Sequence, residues 1–278
     1  MPVTSSPQPA AASGIFAIGG DLPVRRLGFG AMRITGDGVW GEPRDHAEAI
    51  AVLRRSLELG ITFIDTADSY GPEVSERLIA EALHPYPQGL VIGTKGGYLR
   101  PGPNQWKIHG PPAHLRAACE GSLRRLKLER IDLYQLHRID PAVGVEAQLG
   151  ELVRLQQEGK IRHIGLSEVS VDDIVRARRL APIVSVQNRY NLADRQWEAV
   201  VDYCTREGIA FIPWAPLISG SLGGWRNPLR QMAKATGATR AQAAIAWLLA
   251  RSPVMLPIPG TGSVQHLEEN TAAAGLTP

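Results

Sequence analysis

The sequence predicts a (β/α)8 (TIM) barrel preceded by an N-terminal β-hairpin, and three observations carry that expectation. Eight apolar runs rich in β-branched residues are each followed by sequence of helical period. Helix, glycine and buried strand recur as one unit, with the glycines at Gly60, Gly159 and Gly208. The strand ends carry polar side chains, on the face where barrels of this kind keep their catalytic groups.

The 278 residues suit one such barrel, which typically takes about 250. We read residues 1–13 as a flexible tail and 14–278 as a single barrel domain. The net charge of +3 and the pI near 9.0 form a mild basic excess. Arg and Lys are scattered rather than clustered, which excludes the footprint of a nucleic-acid binder. Cys119 and Cys204 sit in helical patterns without metal-ligand spacing and read as reduced, buried thiols. The first residues lack the basic and apolar regions of a signal peptide. No apolar run approaches the roughly 18 residues of a membrane span. The expectation is a cytoplasmic protein with neither membrane nor nucleic-acid partner, and the oligomeric state stays open.

In chain order, Ile15–Ile18 and Val24–Leu27 flank Gly19-Gly20-Asp21, the turn of the expected hairpin. The first barrel strand is expected at Leu27–Met32. Its Gly28-Phe29-Gly30 resembles the start of a dinucleotide loop, but Arg33 stands where a third glycine would be needed and no helix follows directly. Ala47, Ile50, Leu53 and Leu57 then recur at helical spacing up to Gly60. Val145, Leu149, Leu152 and Val153 repeat this up to Gly159, and Trp197, Val200, Val201 and Cys204 up to Gly208. A glycine just past a helix end is the expected left-handed cap. The remaining strands are expected at Thr62–Asp65, Leu90–Lys95, Ile131–His137, Ile161–Ser167, Ile183–Gln187, Ala210–Ala215 and Val254–Ile258. Helices are expected at Ala241–Leu249 and near Ser263–Ala274. An open doubly wound sheet would need a glycine-rich phosphate loop, which the sequence lacks.

Three segments exceed ordinary connection lengths: Arg33–Arg44, Gly96–Pro112 and Pro216–Asn227. All follow strands and therefore fall on the C-terminal face, where long loops are usually functional. They bring Trp40, Tyr98, Trp106, His109 and Trp225. From these we take Trp40, Tyr98, Trp106 and Trp225 as candidate lining of a substrate pocket.

The strand ends read Asp65, Lys95, His137, Ser167, Gln187 and Trp214, with Tyr70 five residues beyond Asp65. With their flanking words FIDTADSYG, VIGTKGG, IDLYQLHRID, RHIGLSEVS, SVQNRYNL, FIPWAPL and PIPGTGSVQHLEEN, they resemble the aldo-keto reductase family, most closely its short bacterial members. The words run in the family's order from about Leu27 to Asn270. The resemblance implies reduction of an aldehyde or ketone, or oxidation of an alcohol, with NADPH and no metal. It makes Tyr70 the general acid, Lys95 the cation that tunes it, Asp65 the partner of Lys95, and His137 the group that orients the carbonyl. The roles suit the chemistry, because a free phenol of pKa about 10 is a poor acid at neutral pH without a nearby ammonium.

The same resemblance assigns cofactor contacts. Trp214 stacks on the nicotinamide, and Ser167 and Gln187 bond its carboxamide. Ala31, Met32, Asp65, Ala215 and Pro216 are also assigned to the cofactor, and Leu217 and Ser219 to its pyrophosphate. Gly260, Thr261 and His266 face the 2′-phosphate, and Glu269 and Asn270 the adenine. Glu168 stands where the family commonly has Asn. Gly260 and His266 stand where many members have Lys and Arg, so NADH is expected to bind too, more weakly than NADPH. Two other classes fit parts of the pattern: a redox-sensing subunit with slow turnover, and a Schiff-base aldolase or isomerase built on Lys95.

Overall fold

Strands flanked by helices on one side and by a filled interior on the other are buried on both faces. The computed structural model, which describes residues 8–217 and 226–277, shows this for the parallel strands here. They are β3 (Phe29–Gly30), β4 (Phe63–Asp65), β5 (Val91–Gly96), β8 (Ile131–Leu136), β9 (Ile161–Ser167), β10 (Ile183–Gln187) and β11 (Ala210–Phe211), hydrogen-bonded in that order. The run at Val254–Ile258 closes the wall. Phe211 N–H donates to Val254 O at 2.9 Å and Leu256 N–H to Phe211 O at 2.8 Å, while Gly28 N–H donates to Pro257 O at 3.0 Å. The result is the expected (β/α)8 barrel.

The expected hairpin forms from β1 (Ile15–Ile18) and β2 (Leu22–Arg25). Its apolar face enters the barrel, where Ile18, Leu22 and Val24 cluster with Phe63, Val91, Leu133 and Leu256. The hairpin therefore plugs the end of the barrel opposite the catalytic face. Two larger clusters lie between the wall and the helices. One centres on α4 (Val145–Gln157) and α6 (Glu198–Glu207), the other on α1 (His46–Glu58) and α2 (Val74–Leu83). Gly60, Gly159 and Gly208 adopt φ of +89°, +76° and +66°. They turn the chain from helix to strand as the sequence reading requires.

Four differences from that reading have physical causes. Residues Pro9–Ser13, expected in a flexible tail, form a 3-10 turn: Ala10 is buried and donates to Leu59 O, and Ser13 Oγ donates to Ala10 O. The first barrel strand is shorter than Leu27–Met32, because Ala31–Ile34 turn as a 3-10 helix. At Ala210–Ala215 only the first two residues are strand. The proline at 213 offers no N–H to a ladder, although Ile212 and Trp214 still bond β10 and Asn188. The long segment Gly96–Pro112 contains a second hairpin, β6 (Tyr98–Gly102) and β7 (Gln105–Ile108), whose turn residue Asn104 has φ +56°. The Gly-Pro-Asn there was a legible turn signal.

Helix α2 is fixed behind the site by a buried charge. Glu76 is fully buried on α2 and accepts from Thr94 Oγ1 at 2.6 Å and from Arg125 Nε at 2.7 Å. Arg125 belongs to α3 (Pro112–Leu126) and also reaches Glu73. Cys119 and Cys204 are buried free thiols, each pushed up to about 12 by burial. Among the described residues no helix is long and apolar enough to cross a membrane.

Removing one partner of a buried pair leaves the other charge uncompensated. Glu76→Ala is expected to cost about 3 kcal/mol, the low end for such pairs because Arg125 keeps Glu73. Urea unfolding checks it: the midpoint should fall with the slope unchanged. A loss under about 1 kcal/mol would mean the pair behaves like a surface bridge.

Candidate active site

Parallel register brings the first functional side chains together. Asp65 ends β4, Lys95 lies near the end of the adjacent β5, and Gln135 pairs with Lys95 from β8. Lys95 Nζ is 2.5 Å from Asp65 Oδ1, 2.8 Å from Thr66 O and 3.4 Å from the Tyr70 hydroxyl. These three acceptors match the three protons of an ammonium. Asp65 Oδ2 accepts from Gln135 Nε2 at 3.0 Å and from Gln187 Nε2 at 2.8 Å. The sequence reading missed Gln135, whose signal was an amide inside an otherwise apolar strand. Tyr70 is buried, and its backbone is held by Ala67 and Ser75.

The charges settle as follows. Burial alone would lower the Lys95 pKa, but Asp65 and the Tyr70 oxygen outweigh it, so the ammonium persists. Burial raises the Tyr70 pKa, Lys95 opposes it and Asp65 supports it, leaving the phenol above its ordinary value. Lys95 therefore acts on Tyr70 in the expected direction, but burial dominates. His137 lies well below the usual imidazole value through burial first, then the cations Lys95, Arg138 and Arg100. Its Nδ1 is 3.4 Å from Ser69 Oγ.

The β6–β7 hairpin forms an aromatic wall over this centre. Tyr98 and Trp106 stand edge-on to His137, with ring centroids at 4.6 and 6.4 Å, and Trp106 also meets Tyr70 at 6.3 Å. Arg100 stacks on Trp106 with its Cζ 3.7 Å from the ring centroid, and lies 5.7 Å from that of Trp40. Its guanidinium donates to Ser69 O, Gly38 O and Gln105 O, tying three loops together. Trp40, Tyr98 and Trp106 are thus gathered as expected, whereas His109 turns away to pair with His114. Trp225 lies outside the described residues. Arg138, next to His137, donates from Nη1 to His137 O at 2.6 Å and to Ser167 Oγ at 2.9 Å.

On the other side of the centre stand Ser167, Gln187 and Trp214. Glu168 has φ +55°, and its Oε1 accepts from Trp214 Nε1 and from Arg189 N, each at 2.6 Å. A carboxylate therefore holds the indole in this chain. Ala215 has φ +50° and its carbonyl is held by Asn191. Pro216 is buried, Leu217 packs into neighbouring clusters, and Ser219 lies outside the described residues. Ala31 is buried and its carbonyl accepts from Ser75 Oγ, and the carbonyl of Met32 accepts from Thr35 Oγ1.

At the far end, Thr261 precedes α9 (Val264–Ala272), and its hydroxyl accepts from Ser263 N at 3.1 Å. His266 is exposed, Asn270 is buried, and the Glu269 carbonyl accepts from Gln242. The sequence reading did not find Glu48, a carboxylate on α1 that accepts from Val264 N at 2.8 Å. One amide at the start of α9 is thus already capped. A Cβ on Gly260 would fall 2.6 Å from Gly30 O, and one on Gly262 3.0 Å from Arg33 O. This backbone-lined cradle, the exposed Arg33 beside it and the indole at Trp214 fit an extended dinucleotide.

The family model for the aldo/keto reductase family matches residues 26–277. Pyridoxine 4-dehydrogenase of Escherichia coli is 45% identical over 263 residues, covering 92% of each chain. An uncharacterised oxidoreductase of Schizosaccharomyces pombe is 56% identical over 257 residues, covering 92% of this chain and 84% of its own. Among solved structures, glycerol dehydrogenase from Gluconobacter oxydans superposes with a TM-score of 0.86 at 25% identity, covering 96% of this chain and 92% of its own. An aldo/keto reductase from Klebsiella pneumoniae in complex with NADP and acetate gives 0.80 at 26% identity, over 95% and 90%.

The surroundings of His137 give a titration test. An imidazole kept neutral by burial and three cations should show flat ring-proton NMR shifts from about pH 8 to about 5.5. The unfolded chain takes up that proton below about 6.5, so this residue lowers stability as the pH falls through that value. A His137 titration midpoint near 6.5 would remove the argument.

Proposed function

The chain belongs to the aldo/keto reductase family and is an NAD(P)H-dependent oxidoreductase, and on that premise we propose that it reduces an aldehyde or ketone to the alcohol with NADPH, Tyr70 giving the proton. The observation that carries the reading is the Tyr70 hydroxyl within 3.4 Å of a buried ammonium that Asp65 keeps charged.

NADPH, when bound, would supply the hydride. Trp214, held by Glu168, would offer the ring for stacking, and Ser167 and Gln187 the polar groups for the carboxamide. Asp65, Ala31, Met32, Ala215 and Pro216 would also meet the cofactor, and Leu217 its pyrophosphate. Gly260, Thr261 and His266 would take the adenosine phosphate, Glu269 and Asn270 the adenine. With Arg33 as the cation beside them, NADPH would bind in preference to NADH.

The chain's own residues do the proton chemistry. His137, neutral, keeps one N–H to donate to the carbonyl oxygen and so orients it towards Tyr70. The phenol, protonated at neutral pH, delivers its proton as negative charge develops on that oxygen. The phenolate left behind is stabilised by Lys95, and the Asp65–Lys95 pair holds the ammonium in place without rearrangement. The reverse reaction, alcohol oxidation, needs the phenolate and so gains with rising pH.

Two observations support an aromatic aldehyde as substrate: the wall of Trp40, Tyr98 and Trp106, and the relative named for pyridoxine oxidation at its 4-position. The product of that oxidation is an aldehyde on a hydroxypyridine ring. Pyridoxal with NADPH is the first pair to assay.

Tyr70→Phe removes only the phenolic oxygen and keeps the ring in place. The reduction rate should fall at least about a hundredfold, the low end for general acid catalysis. NADPH binding, read by fluorescence titration, should be kept. A variant that reduces aldehydes at close to the normal rate would exclude Tyr70 as the acid.

A further inference from the structure

We propose that Arg138 anchors a negatively charged oxygen next to the reacting carbonyl, so that the preferred substrates are aromatic aldehydes with an ortho oxyanion. The inference rests on the carbonyl-reductase reading above and narrows its substrate class.

Charge pairing singles out this residue. The other part-buried arginines mostly meet carboxylates: Arg116 reaches Glu151 and Glu158, Arg125 reaches Glu76, and Arg251 reaches Glu198. Among the described residues, neither Arg138 nor Arg100 has a carboxylate within 4.0 Å, and both lie close enough to His137 to depress its basicity. Asp65 balances Lys95, and Glu168, bonded only by the neutral Trp214 indole and Arg189 amide, leaves one negative charge facing the two guanidinium groups. Among the described residues the catalytic end therefore holds one more positive than negative charge. A guanidinium drawn out of water without an anion is costly, and a ligand that brings one is selected.

Geometry chooses between the two cations. Arg100 donates to three carbonyls from Nε, Nη1 and Nη2, and its face rests on Trp106. Arg138 donates from Nη1 to His137 O and Ser167 Oγ, and its side chain also reaches the Tyr98 hydroxyl, a neutral partner. Those bonds fix the guanidinium between the carbonyl-orienting imidazole and the cofactor side of the site. Its Cζ is 5.6 Å from the centroid of Tyr98, on the aromatic wall. An anion that meets Arg138 while its carbonyl meets His137 and Tyr70 must lie only a few bonds from that carbonyl. An oxygen on the adjacent ring carbon satisfies this, and the flat ring then lies along Tyr98 and Trp106.

The chemistry agrees with this placement. An un-ionised ortho hydroxyl donates to its own aldehyde oxygen and competes with Tyr70. Ionised against Arg138, it leaves the carbonyl oxygen free to accept from Tyr70 and His137. No proton leaves the catalytic set in this step, because the substrate phenol loses its proton to solvent on binding.

The test compares 2-hydroxybenzaldehyde with 2-methoxybenzaldehyde, which cannot ionise. At pH 8 with saturating NADPH, wild-type protein should favour the hydroxy compound by at least about tenfold in kcat/KM, mainly through KM, as expected for one charged hydrogen bond. Arg138→Gln should bring that ratio close to one, and Arg138→Lys should restore part of it. A wild-type ratio near one, or a ratio that survives in Arg138→Gln, overturns the proposal. So does a variant that raises the KM for NADPH and slows both aldehydes equally, since the guanidinium would then serve the cofactor. Calorimetric binding of 2-hydroxybenzamide and 2-methoxybenzamide to the NADP+-loaded protein needs no turnover. Selective binding of the hydroxy amide that is lost in Arg138→Gln supports the anchor even where no aldehyde is reduced, a result that would count against the reductase reading alone. Equal binding of the two amides counts against the anchor.

Discussion

The Lys95–Asp65 pair is the constraint around which the catalytic face is built. Withdrawing either ion from water costs several kcal/mol, which only near-complete hydrogen bonding offsets. Lys95 is fully buried and meets Asp65, the Thr66 carbonyl and the Tyr70 hydroxyl. The second oxygen of Asp65 is satisfied by Gln135 and Gln187. Asp65, Lys95, Gln135 and Gln187 come from β4, β5, β8 and β10. A closed wall of parallel strands brings four such positions to one point, so the charge pair and the barrel presuppose each other.

From this pair outward the site becomes less symmetrical. On one side the β6–β7 hairpin lays Tyr98 and Trp106 against His137, and Arg100 secures it to the loops of Gly38 and Ser69. Ser69 lies between Asp65 and Tyr70, so Arg100 ties the hairpin to the loop that carries Tyr70. Burial, with the cations gathered there, holds the His137 imidazole well below its usual basicity. On the other side two carboxylates fix the surroundings of Trp214 and the start of α9. Glu168 holds the Trp214 indole from a left-handed backbone position, and Glu48 caps the start of α9. A non-glycine residue in that conformation persists where the surroundings fix it, which here means the two hydrogen bonds to its side chain.

The barrel itself was legible because it rests on local chemistry. β-Branched runs, helical spacing and cap glycines at 60, 159 and 208 each report on a few neighbouring residues, and each reappears in the structure. Strands β9 and β10 fall at Ile161–Ser167 and Ile183–Gln187 as expected. That Asp65, Lys95 and His137 would lie near one another was readable because barrel geometry brings strand ends together. The failures were of another kind. Pro9–Ser13 are ordered by contacts with Leu59 and the barrel base, and the short β3 and β11 reflect a 3-10 turn and a proline.

What the sequence determined by itself is the fold class, the order of the elements and the residue types at the strand ends, because period, capping and side-chain chemistry are properties of short stretches. What only the tertiary structure decided is which distant groups meet. Gln135 binds Asp65 across 70 positions, Arg100 joins Ser69 and Gly38, and Glu48 reaches Val264 across 216. No local pattern encodes such pairs, because they depend on the register and closure of the whole wall. The balance between burial and Lys95 at Tyr70, and the placement of the Arg138 guanidinium against the His137 carbonyl and Ser167, were decided at the same level. Both are set by which charges lie within a few ångströms and by how much water the fold excludes.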